Sequence, residues 1–248
     1  MGISSANGVS MPVVIDDPRL KPILGKVLDG ERLSYEDGVL LYRSPDILAV
    51  GYMANLVRER LHGNITYFNV NRHINPTDVC VASCRLCAFG KKAKDPNAYT
   101  MSLEEVWHRA GLGWSEAITE FHIVGGLHPT LTLDWYCQMV AGLKERFPQV
   151  HIKAFTMVEI AYFAQREKRS YREVLERLMA AGIDSMPGGG AEVFSERVRR
   201  IICDHKIDGG EWLEVARIAH HLGLKSNCTM LYGQIGRASC RERVWLKV

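Results

Sequence analysis

Residues 80–90 read CVASCRLCAFG, which places Cys80, Cys84 and Cys87 within eight positions, just after the alternating run TYFNVNRHIN at 66–75. The whole chain holds seven cysteines. A trio suits neither a disulfide pairing nor a closed structural metal site, which takes four ligands. Three thiolates on one short loop suit a compact iron–sulfur cluster, since such centres are held by cysteines at short spacings. A four-iron cluster needs a fourth ligand, so three leave one iron open to substrate, the logic by which catalytic zinc sites keep a free position. The competing reading is a zinc site completed by His73 or another residue, but no second Cys/His pair follows at finger-like spacing. Cys137, Cys203 and Cys228 stand alone on helix or strand positions and are expected to be small buried apolar residues.

With 248 residues, 47% of them hydrophobic, the chain can bury one sizeable core. It has no apolar run long enough for a membrane span, and MGISSANGVSMPVV lacks the charged and apolar regions of a secretory signal. Reduced thiols in a cytoplasm are therefore expected. The formal charge of +3 comes from the last fifteen residues, which carry four Lys/Arg and one acid; the remainder holds 27 of each sign. Nothing in that balance points to nucleic acid. Within the tail, QIGRASCRERV has no helical or strand period and resembles a translated sequencing adapter, so 234–248 is read as a non-native segment and the chain as cut short.

Three segments are expected: an N-terminal helical cap at 1–65, a partial barrel at 66–233, and the adapter-like tail at 234–248. In the first, Ser34 caps SYEDGVLLYRS. Pro45 opens a helix whose stripe is Ile47, Leu48, Val50, Met53, Leu56, Val57 and Leu61, stopped by Gly63. Beyond Thr66, strand-like runs alternate with capped helices. Strands are expected at YFNVNRHIN, EFHIVGG (120–126), Val150 to Phe155, IDSM, and KSNCTMLYG as a fifth. Helices are expected after Ser102 and Glu105, after Thr132, after Ser170 and Glu173 with Gly182 as the stop, and over EWLEVARIAHHLG. Alternation at crossover spacing implies a parallel sheet flanked by helices, an α/β (β/α) TIM-like barrel truncated after about five strands, with a doubly wound open sheet as the competing architecture.

The C-x3-C-x2-C spacing after a first barrel strand resembles the radical S-adenosylmethionine (SAM) superfamily. That resemblance implies a [4Fe-4S] cluster held by Cys80, Cys84 and Cys87, with SAM chelating the open iron. It implies Phe89 near the adenine, Gly125 and Gly126 of HIVGGLHP at the methionine amino group, and Thr156 and Glu159 near the ribose. Gly190 and Glu192 of MPGGGAE would lie near the adenosine. On the residues alone, Gly-Gly after a strand is more often a turn, and Glu159 reads as a helix-start carboxylate facing solvent. His73, Asn75 and His128 are the candidate catalytic residues, with local turn-making as the other reading of Asn75 before Pro76 and loop positioning that of His128.

Within the superfamily, NRHINPTDVCVASCRLCAFG, ITEFHIVGGLHP, VHIKAFTMVEI, DSMPGGGAEVF and CTMLYG most resemble the aminofutalosine synthase family of menaquinone biosynthesis. The likeness runs from about Leu33 to Gly233. It implies addition of a 5′-deoxyadenosyl radical to the enol ether of 3-[(1-carboxyvinyl)oxy]benzoate, giving 6-amino-6-deoxyfutalosine. A flavodoxin or ferredoxin would be the electron donor. Arg72 and Lys153 are candidates for the two substrate carboxylates. The alternatives are the cyclic dehypoxanthinylfutalosine synthase, a deazaflavin (FO) synthase subunit, a zinc-stabilised binding module, or an inactive fragment.

Overall fold

A computed structural model of the chain describes residues 14–231 and the backbone of 245–247. Two compact units divide it, Met1–Phe68 and Asn69–Val248.

The first unit is helical. A 3-10 turn (Pro18–Leu20) runs into α1 (Lys21–Asp29), followed by α2 (Tyr35–Arg43) and α3 (Ile47–His62). Ser34 closes a reciprocal capping box with Asp37 at the start of α2. α3 begins after Asp46, whose carboxylate accepts from Ala49 N–H, and ends at Gly63 with φ 57°. Its buried stripe is narrower than expected: Ala49 and Met53 join Leu20, Ile23 and Val27 in a small core, while Ile47, Leu48 and Leu61 face solvent.

The second unit alternates strand and helix: β1 (Asn71–Ile74), α4 (Leu103–Gly111), β2 (Glu120–Ile123), α5 (Leu133–Arg146), β3 (His151–Ala154), α6 (Met157–Glu167), α7 (Tyr171–Ala181), β4 (Ser185–Met186), α8 (Glu196–Ile202), α9 (Gly209–His221) and β5 (Lys225–Ser226). The strands form one sheet in the order β1-β2-β3-β4-β5, with every neighbour parallel. This is the α/β arrangement of a (β/α) barrel, five strands where a closed one has eight. Capping boxes start α4 (Ser102, Glu105), α6 (Thr156, Glu159) and α7 (Ser170, Glu173), and Thr132 caps α5. Gly182, left-handed at φ 115°, ends α7.

Three readings are corrected. Tyr67 and Phe68 are exposed and precede β1, so only the end of YFNVNRHIN pairs. KSNCTMLYG is not one strand: β5 is its first two residues, and β6 (Thr229–Leu231) leaves the sheet to pair antiparallel with β7 (Trp245–Lys247). α6 and α8 are helices that periodicity did not single out. The adapter-like reading of 234–248 falls outside the described residues except for the backbone of β7, a strand its composition did not suggest.

One face of the sheet is the core. Ile74, Phe121, Ile123, Ile152, Ala154 and Met186 point to the helices and are fully buried against them. Arg72 lies on that same side, donating to the carbonyls of Arg109, Ala110 and Gly113 at the end of α4. No helix among the described residues is long and apolar enough to cross a membrane.

Candidate active site

The cysteine loop leaves β1 and is fastened by its own hydrogen bonds and one ion pair. Buried Asp78 accepts from Tyr99 N–H at 2.7 Å and pairs with Lys91 Nζ at 2.8 Å. Thr77 Oγ1 donates to Tyr99 O at 2.9 Å, and Cys80 N–H donates to Lys91 O at 2.8 Å. Lys92 Nζ reaches the carbonyls of Val81 and Ala82. The loop is held by isolated bridges, Thr77 to Thr100 and Val79 to Lys91, and by these side-chain bonds, because it has no continuous strand ladder to satisfy its backbone.

At the C-terminal ends of the strands lies a cavity of about 180 Å³. Cys80, Cys84, Cys87, Phe89, Gly125, Gly126, Thr156, Glu159 and Gly190 all line it, so nine residues chosen from the sequence converge on one space. Glu192 is one shell back, its Oε1 2.7 Å from Nζ of Lys206, which lines the cavity. His73, Asn75 and His128 are not among the lining residues. Asn75 Nδ2 donates to Val124 O, and Asn75 O accepts from Tyr99 O–H, both loop-fastening bonds. His128 Nδ1 accepts from the backbone N–H groups of Thr130 and Leu131, and burial beside Arg166 holds its pKa below the ordinary value. His73 sits on β1, its ring edge-to-face with His122 at 5.1 Å.

Glu159 corrects the solvent-facing reading. It is 5% exposed. Oε2 accepts from Thr156 N–H (2.7 Å) and Thr156 Oγ1 (2.8 Å), and Oε1 accepts from Gly125 N–H (3.2 Å). Burial pushes its pKa up to about 7, against the pull of these donors and of Lys206.

Backbone crowding explains the glycines. A Cβ on Gly126 would lie 2.2 Å from Val79 O and 3.1 Å from Cys80 Cβ, so the strand end can pass the cysteine loop only without a side chain. Gly190 has φ 86°, and a Cβ there would meet Val158 Cγ2 at 2.4 Å. Two non-glycine residues beside the cavity also adopt positive φ: Phe155 (64°), next to Thr156, and Glu192 (53°). Such conformations cost free energy and gather where a site demands a particular backbone path.

Sequence reasoning missed two cations here. Lys206 is three residues past Cys203 in a loop without a motif, and it is largely buried. Arg199, 5% exposed, donates to the carbonyls of Ala191, Val193 and Ile207, tying the Gly190–Glu192 turn to the segment that carries Lys206. Only folding brings these stretches together. Of the lone cysteines, Cys203 is buried as expected, Cys137 is half-buried, and Cys228 is exposed.

The donor set fits an iron–sulfur cluster. All three cysteines are free thiols around one cavity. Among the described residues no three His, Cys, Asp or Glu converge closely enough to hold a single metal ion. Thiolates spread around a space suit a polynuclear cluster better than one tetrahedral zinc. Leu127 N–H points at Cys80 Sγ and Gly90 N–H at Cys87 Sγ, each at 3.4 Å, the hydrogen bonding to sulfur that tunes such centres. Burial and the neighbouring thiols Cys203, Cys80 and Cys87 raise the Cys84 pKa, while Lys206 opposes the rise.

Comparison with known proteins agrees with this geometry. The radical SAM superfamily model matches residues 74–237. An aminodeoxyfutalosine synthase of Thermus thermophilus is 45% identical over 221 residues, 89% of this chain and 59% of that protein. A 5-amino-6-(D-ribitylamino)uracil–L-tyrosine 4-hydroxyphenyl transferase of Methanopyrus kandleri is 38% identical over 90% of this chain and 59% of its own length. The chain thus spans about three-fifths of the length of these curated relatives. Among solved structures, methylornithine synthase superposes with a TM-score of 0.61 at 16% identity, covering 82% of this chain and 57% of that one, a likeness of fold. Members of the superfamily use a [4Fe-4S] cluster and SAM, and the three thiols around one cavity are where such a cluster fits. The chain belongs to the radical SAM superfamily.

Proposed function

We propose that the chain is the cluster-bearing part of a radical SAM transferase that joins the 5′-deoxyadenosyl group of SAM to the enol-ether carbon of 3-[(1-carboxyvinyl)oxy]benzoate, leading with loss of carbon dioxide to 6-amino-6-deoxyfutalosine. The observation that carries the reading is the convergence of Cys80, Cys84 and Cys87 with Gly125, Gly126, Thr156, Glu159 and Gly190 on one cavity at the strand ends. The 45% identity to an aminodeoxyfutalosine synthase supports the choice of substrate.

When bound, the cluster and SAM supply a carbon radical; the organic chemistry is theirs, and the protein provides placement and electrostatics. Cys80, Cys84 and Cys87 would hold the cluster. Glu159 fixes the Gly125 backbone relative to Thr156, a rim that would receive the methionine and ribose of SAM. Phe89 offers an aromatic face for the adenine. Lys206, paired with Glu192, puts a positive charge on the cavity wall within electrostatic reach of Cys84. Leu127 and Val158 give the same cavity an apolar side that excludes water. Such fixed positioning turns an encounter of two reactants into an effectively unimolecular step.

The electron donor is a flavodoxin or ferredoxin in this reading, and the setting is cytoplasmic, since the cluster must stay reduced. The test is anaerobic reconstitution with iron and sulfide, then incubation with SAM, reductant and the enol-ether substrate. The expected product is the aminodeoxyfutalosine adduct. The 38% identity to a 4-hydroxyphenyl transferase favours a second reading, in which L-tyrosine and 5-amino-6-(D-ribitylamino)uracil replace the enol ether; the same assay with that pair separates the two.

A further inference from the structure

The face of the sheet turned away from the helices is unlike the inside of an ordinary barrel. Parallel sheets are normally apolar on both sides, and barrel interiors are filled by branched aliphatic residues. Here the pairing aligns His73, His122, Lys153, Ser185 and Lys225 in one row across all five strands. Two residues earlier, Asn71, Glu120 and His151 form a second row on the same face. Neither row contains an aliphatic or aromatic hydrocarbon side chain.

Glu120 lies at the centre of this surface and is 6% exposed. Its Oε2 is 3.1 Å from Lys153 Nζ. Its Oε1 is buried and accepts no hydrogen bond among the described residues, with His122 Nδ1 3.6 Å away. A buried carboxylate oxygen lacking a donor is costly, which singles out this carboxylate as a group to be explained by a ligand or by a role beyond packing. Lys153 keeps part of its side chain accessible, and an ammonium has three donors, of which Glu120 takes one. Beside it the His122 and His73 rings pack edge-to-face, offering flat faces next to a cation. By strand rise, the row lies roughly 7–10 Å below Gly125 and Thr156 at the mouth.

We propose that this inner face is a binding floor for an aromatic carboxylate, with Lys153 Nζ as the anchor of the carboxylate and the His73–His122 pair as the surface for the ring. Glu120 holds Lys153 aimed into the barrel and competes with the ligand for its charge. The assignment of the ligand as the enol-ether benzoate rests on the proposed function; the floor itself rests on the register and the Glu120–Lys153 pair.

The test uses the reconstituted protein and benzene-1,3-dicarboxylate as probe, with affinity measured by calorimetry. Lys153→Met is expected to weaken binding about tenfold or more, as loss of a charge-assisted donor pair does. Glu120→Gln is expected to tighten it severalfold, a change of sign that a structural role for Glu120 would not produce. Iron content and SAM affinity should match the parent in both variants. Absence of probe binding to the parent, unchanged binding in Lys153→Met, or weaker binding in Glu120→Gln overturns the floor. If the variants behave as expected but no adduct forms from SAM and the enol ether, the floor stands and the reaction assignment falls. If the adduct forms in Lys153→Met with the parent KM, the reaction stands and the floor falls.

Discussion

Glu159 and Gly125, thirty-four residues apart, meet through a hydrogen bond of 3.2 Å in which the Gly125 backbone N–H donates to the carboxylate. One buried side chain thereby joins the loop after β2 to the first turn of α6. Its pKa of about 7 lies above the ordinary 4.5, so the folded state holds a proton that the unfolded chain releases. Stability from this group is complete below about pH 4.5 and is lost as pH rises through 7, amounting to roughly 3 kcal/mol. Urea midpoints of the cofactor-free protein between pH 4.5 and 8 should show that decline, and Glu159→Gln should flatten it. A Glu159→Gln profile as steep as the parent's would place the proton elsewhere.

Gly126 and Gly125 should respond differently to alanine. A Cβ at 126 meets Val79 O at 2.2 Å, whereas one at 125 meets Thr77 O at 3.4 Å. Gly126→Ala is expected to destabilise by roughly 1–3 kcal/mol and to lower the iron loaded per chain, because Val79 must shift and carries Cys80 with it. Gly125→Ala should bind iron as the parent does. Denaturation curves and iron analysis read both.

Cys80→Ala, Cys84→Ala and Cys87→Ala should each abolish the brown colour and the acid-labile sulfide of the reconstituted protein. Cys203, buried among Leu86, Ile202 and Leu231, should behave as core. Its replacement by Ala is expected to cost roughly 1 kcal/mol and to spare the cluster. Loss of iron in Cys203→Ala would revise the ligand set.

The Lys206–Glu192 pair predicts non-additivity. Lys206→Met strands a carboxylate that is itself 5% exposed, with an expected loss of roughly 3–5 kcal/mol. The double variant Lys206→Met, Glu192→Gln should recover much of that stability, and a double-mutant cycle by chemical denaturation measures the coupling. Additive losses would mean that Arg199 and the backbone alone hold the turn.

Arg199 donates to three carbonyls from two segments. Arg199→Met leaves them buried without a donor, which should cost roughly 2–4 kcal/mol. Because it acts on the Gly190–Glu192 turn, SAM affinity should fall while iron content holds.

Much of the molecule is written locally. The C-x3-C-x2-C spacing, the capping boxes at Ser102 and Ser170, and the alternation of strand and helix each depend on residues a few positions apart. Short-range hydrogen bonds and side-chain period settle these before any tertiary contact forms. For that reason the three cysteines, the parallel α/β class and most helix starts were legible. What depended on distant segments was not. Glu159 carries the same local pattern as the exposed Glu173, yet only the approach of the β2 loop buries it and gives it Gly125 as a partner. Lys206 and Arg199 carry no motif, and their places follow from contacts between distant segments, such as the bond from Arg85 N–H in the cysteine loop to Ile202 O at the end of α8. The division of KSNCTMLYG into β5 and β6, and the alignment of His73, His122 and Lys153 in one row, are matters of register. Register is a property of the assembled sheet, fixed by which neighbour each strand meets.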